Sequence, residues 1–554
     1  MDLQLPQRKK PGNHSFNTGP AALTAWLNDL PLTNTGESLE LLSSALQQIN
    51  TLSLPPNNRQ EALERFASPV MCVTDALKKK FLDNPLPLKG NNLVSATQTL
   101  ELFNALATGY RILAEDLRSK NRDKPQLTIT LHRALRYLIE ILLTSYRIYI
   151  QYPEGLWKTI NMLYALADEH NITGQAVTDI TLQTPATSTI ATVYKQILLL
   201  SLACPYRLRQ NEICFVYDTL LDWADSSQLH HMNDEKTHGL FSINLQSDAP
   251  PSYRDLNDGG TSDPHTRILD TNTMASRMRT ELATSQGGTN QPAGAGSTET
   301  MQRLMLAWGV MPKRLFARHP QDAPVKLVIG LNAIHQLAPG HVSRKQEADE
   351  NIRDKHYLQD PTFEAATTFN TDPFTSKRAQ QTVAEDRNPF KGAYAADKPA
   401  SSRVESWKIA DISAGGYCLL WDSDEVSCAR VGELVALTET EHLSSNNWQS
   451  GIIRRMKFTE ERGLELGIQL LSPGAKAVWV HLHKDGVSKG DRMQGILLPG
   501  IEAIKLQASL LLPSLPFRTG CTATLEDNGK TETVELTRQL ENTGSFAQYH
   551  FTAK

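Results

Sequence analysis

The stretch Asp411-Ile-Ser413-Ala-Gly415-Gly416 lies between two runs with strand character, Val404 to Ala410 and Tyr417-Cys-Leu-Leu-Trp421. A polar turn with paired glycines between two β-type segments predicts a hairpin. The Asp and Ser side chains can bond local backbone donors or a ligand, and the glycines let a ligand approach the main chain closely. A tight turn with no further role is the plain alternative. Upstream, Lys313-Arg314-Leu-Phe-Ala-Arg318 places two arginines four positions apart, just before the strand-like run Val325-Lys-Leu-Val-Ile-Gly330. Taken alone, that pair reads as a solvated basic turn. Downstream, Gly451-Ile-Ile-Arg-Arg-Met-Lys-Phe458 and Gly463-Leu-Glu-Leu-Gly-Ile-Gln-Leu-Leu471 supply two further runs.

Arg-x-x-x-Arg, a strand, then Asp-x-Ser-x-x-Gly together resemble the signature of the PilZ domain, a bacterial receptor module for cyclic di-GMP. The two downstream runs look like the closing strands of the small PilZ barrel. The resemblance covers residues 310–337 and 403–475. It implies phosphate and guanine contacts for Arg314 and Arg318. Asp411 would accept from guanine N1 and N2 donors or hold an arginine in place. Ser413 would donate to a phosphate or a base edge, and Gly416 would leave room for the nucleotide. Lys313 and Gly415 are further candidates. Arginine suits such a ligand because its fork bonds phosphate oxygens, or guanine O6 and N7, through two parallel hydrogen bonds, and its flat face stacks on a base. Arg454 and Arg455 are adjacent, so on a strand they face opposite ways; one of them can reach the site, but neither is counted among its residues.

The chain has 554 residues, too many for one core. Hydrophobic residues make up 40% and charged residues 21%, ordinary for a soluble protein. A net charge of −4 gives no global attraction to a nucleic-acid polymer or an acidic lipid surface, so an anion site has to be local. No signal peptide is visible, and the most apolar run, Ile197 to Ala203, is far too short to span a membrane. The expected location is the cytoplasm. The six cysteines have no Cys-x-x-Cys or other metal spacing and read as reduced, mostly packed thiols. His230-His231, His238 and His481-Leu-His483 have no convincing third ligand nearby. Asp255-Leu-Asn257-Asp258-Gly-Gly260 resembles a calcium loop, but its twelfth position falls on Thr266, which cannot bind bidentately.

Five segments follow from composition and periodicity. Residues 1–36 read as an irregular leader, in which Ala21 to Leu27 forms one helical turn or an anchor. Residues 37–245 read as an α-helical domain, a bundle or a stack of helix pairs. Its helices are expected at Glu37–Ile49, Arg59–Leu82, Leu93–Leu117, Leu127–Tyr152, Gly155–Asn171, Ser188–Ala203 and Arg207–Trp223, with Tyr137, Tyr146, Tyr149 and Tyr152 in packing roles. Phe241 to Leu245 reads as a strand or an extension of that domain. Residues 246–300 form a linker with a short helix over Arg267–Leu282. Residues 301–476 hold the PilZ-like barrel, entered through a helix at Ser297–Trp308 and interrupted by a polar insertion at about 340–402, the main departure from the family pattern. Its other strands are Arg403–Ala410, Gly416–Trp421, Leu434–Thr438, Trp448–Phe458 and Leu464–Leu471. Residues 477–554 form a β-rich extension or a second small barrel, with strands at Val478–Leu482, Ala503–Leu511, Cys521–Leu525, Glu532–Leu540 and Phe546–Thr552. An Asn-Gly turn falls within Glu526–Lys530.

The fold class is therefore multidomain: an all-α N-terminal part followed by C-terminal all-β barrels. The function implied is a bacterial cyclic di-GMP receptor that couples nucleotide binding to protein–protein interaction through its helical domain, in motility, pilus or surface-attachment control. The alternative is a degenerate PilZ-like adaptor that docks protein partners without nucleotide. No Gly-x-Ser-x-Gly, Walker, His-Glu-x-x-His or cyclase signature points to an enzyme, and no cofactor or metal is expected.

Overall fold

The computed structural model describes residues 5–12, 15–118, 124–180, 186–232, 239–254, 263–285, 298–309, 316–338, 404–421, 423–439, 448–472, 474–484, 487–500, 506–527 and 529–554. The N-terminal part is helical: α1 Pro20–Asn28, α2 Thr35–Thr51, α3 Pro56–Phe81, α4 Gly90–Arg118, α5 Lys124–Arg147 and α6 Leu156–Glu169. Local chemistry sets several boundaries. Asn34 caps α2 by accepting from the Glu37 N–H at 3.4 Å. Pro56 opens α3 where no intrahelical donor is lost, and Lys78, Lys79 and Lys80 fill its last turn, next to the unpaired carbonyls. The segment read as one helical turn or an anchor is the full helix α1, pinned by Leu23 and by Trp26 packed among Phe16 and Phe66.

Helix α5 is buried on nearly every side and stops at Arg147, short of the expected Tyr152. The cause is tertiary. Tyr149 takes a left-handed φ of 57°, and the chain then runs beside a barrel strand. The Phe458 N–H donates to the Tyr149 carbonyl at 2.7 Å, and the Gln151 N–H donates to the Phe458 carbonyl at 3.2 Å.

The second half of this region is mixed rather than purely helical. A hairpin, β1 Ala176–Asp179 and β2 Ala186–Thr189, precedes α7 Ile190–Leu202 and α8 Gln210–Trp223. Ser188 therefore lies in a strand and not in the helix expected from it. A small sheet follows in the order β3 Gln228–His231, β6 Thr266–Asp270, β4 Phe241–Asn244, β5 Ser252–Tyr253. The helix expected over Arg267–Leu282 is corrected accordingly. Its first residues pair in β6, with Ile268 and Leu269 buried between β3 and β4, and α9 Asn272–Ser285 begins only after them. Helix α10 Thr298–Gly309 then buries Trp308, whose ring N–H donates to the Leu199 carbonyl at 3.0 Å.

The β1–β2 hairpin covers an ionic cluster on α5. Arg136 donates through Nε to Asp179 and through Nη1 to Gln196 at 2.7 Å, while its Nη2 finds no acceptor among the described residues. Arg133 pairs with Glu64 at 3.1 Å and donates to the Thr178 carbonyl at 2.8 Å. Burial, more than its charged neighbours, pushes the His132 imidazole down to about 3, so it stays neutral.

Five tyrosines lie within the same core, Tyr110, Tyr137, Tyr146, Tyr149 and Tyr194, and a sixth, Tyr217, packs against it. Burial is the first cause that pushes each phenol up. An unfolded phenol ionises near about 10. Folded values above that mean the stabilisation is complete below about 10 and is lost as pH rises toward the folded values. On alkaline titration followed by ultraviolet difference spectroscopy, these phenols are expected to ionise only together with the loss of helical circular dichroism. Ionisation of all tyrosines in the ordinary range with intact helices would contradict this.

The C-terminal part holds two closed barrels. The first uses β7 His319–Ile329, β8 Glu405–Ser413, β9 Gly416–Trp421, β10 Leu434–Glu439, β11 Gln449–Thr459 and β12 Gly463–Ser472, in the order β10-β11-β12-β9-β8-β7. Helix α11 Leu331–Leu337 follows β7 directly. The second barrel uses β13 Lys476–Lys484, β14 Val487–Leu498, β15 Ser509–Leu512, β16 Thr522–Asp527, β17 Lys530–Asn542 and β18 Ala547–Ala553, in the order β13-β14-β15-β18-β17-β16. The C-terminal β segment thus closes as a second barrel. Its strand β14 was not read from the sequence, and the run Ala503–Leu511 shrinks to β15, with residues 501–505 outside the described residues. The insertion at 340–402 and His238 also lie outside them. The helical part and the first barrel share one apolar core that runs from Leu23 to Ile468.

Candidate nucleotide-binding site

The hairpin expected at Asp411–Gly416 joins β8 to β9, in the register Asp411 with Cys418, Ile412 with Tyr417 and Ser413 with Gly416. The Ser413 hydroxyl donates to the Gly416 carbonyl at 3.3 Å. Gly416 is held to glycine by close approach, since a Cβ there would lie 1.8 Å from the Ile468 carbonyl oxygen. The corner is therefore pressed onto β12, and its backbone cannot retreat.

Strand β7 brings the second motif to the same rim. Pro320 pairs with Asp411, and Arg318 lies just before β7 begins. Its Nη1 lies 3.3 Å from Asp411 Oδ2, with the two side chains 45% and 23% exposed. A pair this exposed contributes little to stability and holds the guanidinium loosely. Phe316, two residues earlier and 49% exposed, lies over Gly415: a Cβ on that glycine would meet its ring at 3.1 Å. So the structure brings Arg318, Asp411, Ser413, Gly415 and Gly416 together. Lys313 and Arg314 lie outside the described residues.

A further cation stands beside this corner. Gln469 pairs with Gly416 across β12 and β9. Its side-chain carbonyl accepts from Arg454 Nε at 2.8 Å. Arg454 sits in β11 at a register shift between Ile453 and Arg455. Arg455 is directed to Glu465 at 3.5 Å. Sequence reasoning left both arginines out of the site, because only the pairing of β12 with both β9 and β11 places Arg454 near Gly416. A cleft of about 490 Å³ in the helical part, lined by Tyr164, Asp168, Lys195, His231 and Arg267 among others, contains none of these rim residues.

Among the described residues no group of three or more His, Cys, Asp or Glu side chains could hold a metal ion. His481 faces Glu526 at 3.6 Å, and His483 bonds the Thr524 hydroxyl at 2.7 Å. Among the described residues no helix is long and apolar enough to cross a membrane.

Comparison with known proteins meets this geometry directly. Residues 240–477, which contain the first barrel and both motifs, match the family model described as the cyclic-di-GMP receptor FimW, middle PilZ domain. This segment is a PilZ domain. The flanking parts of this PilZ protein match as well: residues 21–235 the FimW N-terminal domain, and residues 478–553 the FimW C-terminal beta-barrel domain. A relative, the cyclic-di-GMP receptor FimW of Pseudomonas aeruginosa, is 29% identical over 578 residues, spanning 100% of this chain and 93% of its own. No solved structure matches. The middle-domain model and the relative are both described as cyclic-di-GMP receptors.

Proposed function

We propose that this PilZ protein is a cyclic di-GMP receptor, and that nucleotide bound at the rim of its first barrel alters how its helical part engages a protein partner. The observation that carries the reading is the Arg318–Asp411 pair beside Gly416, because two motif pieces far apart in sequence meet on one edge of one barrel. The arrangement suits the ligand's chemistry. Arg318 supplies a loosely held fork for a phosphate or a guanine edge, Asp411 an acceptor for guanine N–H donors, and Ser413 a hydroxyl. Arg314 and Lys313 would add charge from the segment before Arg318. The name of the Pseudomonas aeruginosa relative supports the same reading.

The route to the helices runs along the barrel strands to the end away from the rim. The β11 end at Phe458 is hydrogen-bonded to Tyr149 and Gln151, and Ser427 donates to the Leu86 carbonyl at 2.8 Å. A shift of the rim strands is therefore felt by the helical part through packed backbone. Motility, pilus and surface-attachment control in the cytoplasm are the settings this reading points to.

The test is isothermal titration calorimetry with cyclic di-GMP on the full chain. Wild type is expected to bind. Arg318→Ala is expected to weaken binding by roughly a hundredfold, the loss of a charge-assisted bidentate contact. Absence of binding by wild type at tens of micromolar ends the reading and leaves the adaptor role. A co-purified partner whose retention changes with nucleotide would support the coupling.

A further inference from the structure

The hairpin between β17 and β18 reaches back from the second barrel to the first. At its base Glu541 grips Arg454 with both oxygens: Nη1 contacts Oε1, and Nη2 lies 2.8 Å from Oε2. Glu541 is the more buried partner, 12% exposed against 35% for Arg454. The next residue, Asn542, donates its N–H to Glu299 of α10 at 2.9 Å. Burial raises the Glu299 carboxyl, Glu541 raises it further, and Asn542, Arg303 and Arg454 oppose this. Two carboxylates from separate pieces of chain thus share the field of one guanidinium, and α10 leads into the segment that ends at Arg318.

We propose that Arg454 is a further phosphate-binding residue of this site and that Glu541 competes with the ligand for it. The proposal rests on the reading of the rim as a cyclic di-GMP site. Arg454 already bonds Gln469, whose backbone pairs with Gly416, so its guanidinium stands one strand from the corner. A phosphate is an equal match for its fork. When the ligand takes Arg454, Glu541 loses its direct partner in a half-dry seam, and Glu299 loses a nearby positive charge. The two carboxylates then repel, which loosens the β17–β18 hairpin from α10. Ligand binding is thereby linked to the docking of the second barrel.

The experiment uses the full chain, with cyclic di-GMP as the probe. By calorimetry, Arg454→Gln is expected to bind roughly tenfold more weakly, and Glu541→Gln roughly threefold more tightly because the competing charge is gone. Hydrogen exchange of amides 541–546 is expected to speed up when ligand is added to wild type, and not in Arg454→Gln. Should Arg454→Gln fail to fold by circular dichroism, Glu541→Gln and the wild-type exchange decide alone. Wild-type affinity in Glu541→Gln together with ligand-independent exchange at 541–546 overturns the proposal. If wild type binds and Arg318→Ala weakens binding while both new variants behave as wild type, this proposal fails and the receptor reading stands. If wild type does not bind at all, both fall.

Discussion

Truncating Asp179 to alanine is expected to destabilise the protein by about 3–5 kcal/mol, the cost of leaving a buried ion without its partner. Asp179 is fully buried and the Arg136 side chain is 1% exposed. Among the described residues Arg136 would keep only the Gln196 oxygen, and its Nη2 already has no acceptor there. His132 is held neutral, and Arg133 is a second cation whose carboxylate partner is Glu64, so neither can stand in for the lost carboxylate. Replacing both members with apolar residues, Asp179→Leu with Arg136→Met, is expected to cost far less than Asp179→Ala alone, because no charge is then stranded. Urea unfolding followed by circular dichroism reads the difference. A loss below about 1 kcal/mol for Asp179→Ala would mean that the cluster is solvated and not dry.

Gly416→Ala is expected to be the most damaging single-carbon change at the candidate site, at about 3 kcal/mol together with loss of ligand binding. The added carbon would meet a main-chain carbonyl, Ile468 O at 1.8 Å, so a strand has to move rather than a side chain rotate. β9 and β12 would separate where Gly416 pairs with Gln469, and the corner that positions Asp411 and Ser413 would go with them. Gly415→Ala is the control. Its nearest obstacle is the half-exposed Phe316 ring, which can yield, so stability should change little while the segment carrying Arg318 is displaced. Thermal unfolding and calorimetry on the two variants separate these effects. Equal melting behaviour in Gly415→Ala and Gly416→Ala would contradict the account.

The helices and most first-barrel strands were legible because their apolar residues repeat at steps of 3.6 and 2 over long runs. The motif pieces were legible because turn chemistry is local. What escaped was decided elsewhere in the chain. The end of α5 depends on Phe458 pairing with Tyr149, three hundred residues away in sequence. β6 is only five residues long and runs straight toward α9, so a helical reading absorbed it. β14 begins Val487-Ser-Lys-Gly-Asp-Arg-Met, with no apolar alternation to announce a strand. Arg454 could be suspected as a cation but not placed, since its partner Glu541 belongs to the other barrel and the register shift at Arg454 is invisible in one sequence.

Helix α11 sets a practical limit on dissecting the molecule. Leu331 and Ile334 are packed in a common apolar layer with Leu434 and Ile452 of one barrel and with Ile496, Leu511 and Phe546 of the other. The buried His335 ring bonds the Val478 carbonyl at 3.1 Å and stands edge-on to Trp479. A fragment cut near residue 477 would strip this layer of one wall and leave a greasy, self-adhesive surface at the far end of the strand that starts beside Arg318. Minimal versions of the protein therefore have to keep both barrels, and a titration on an isolated middle piece would measure a damaged object.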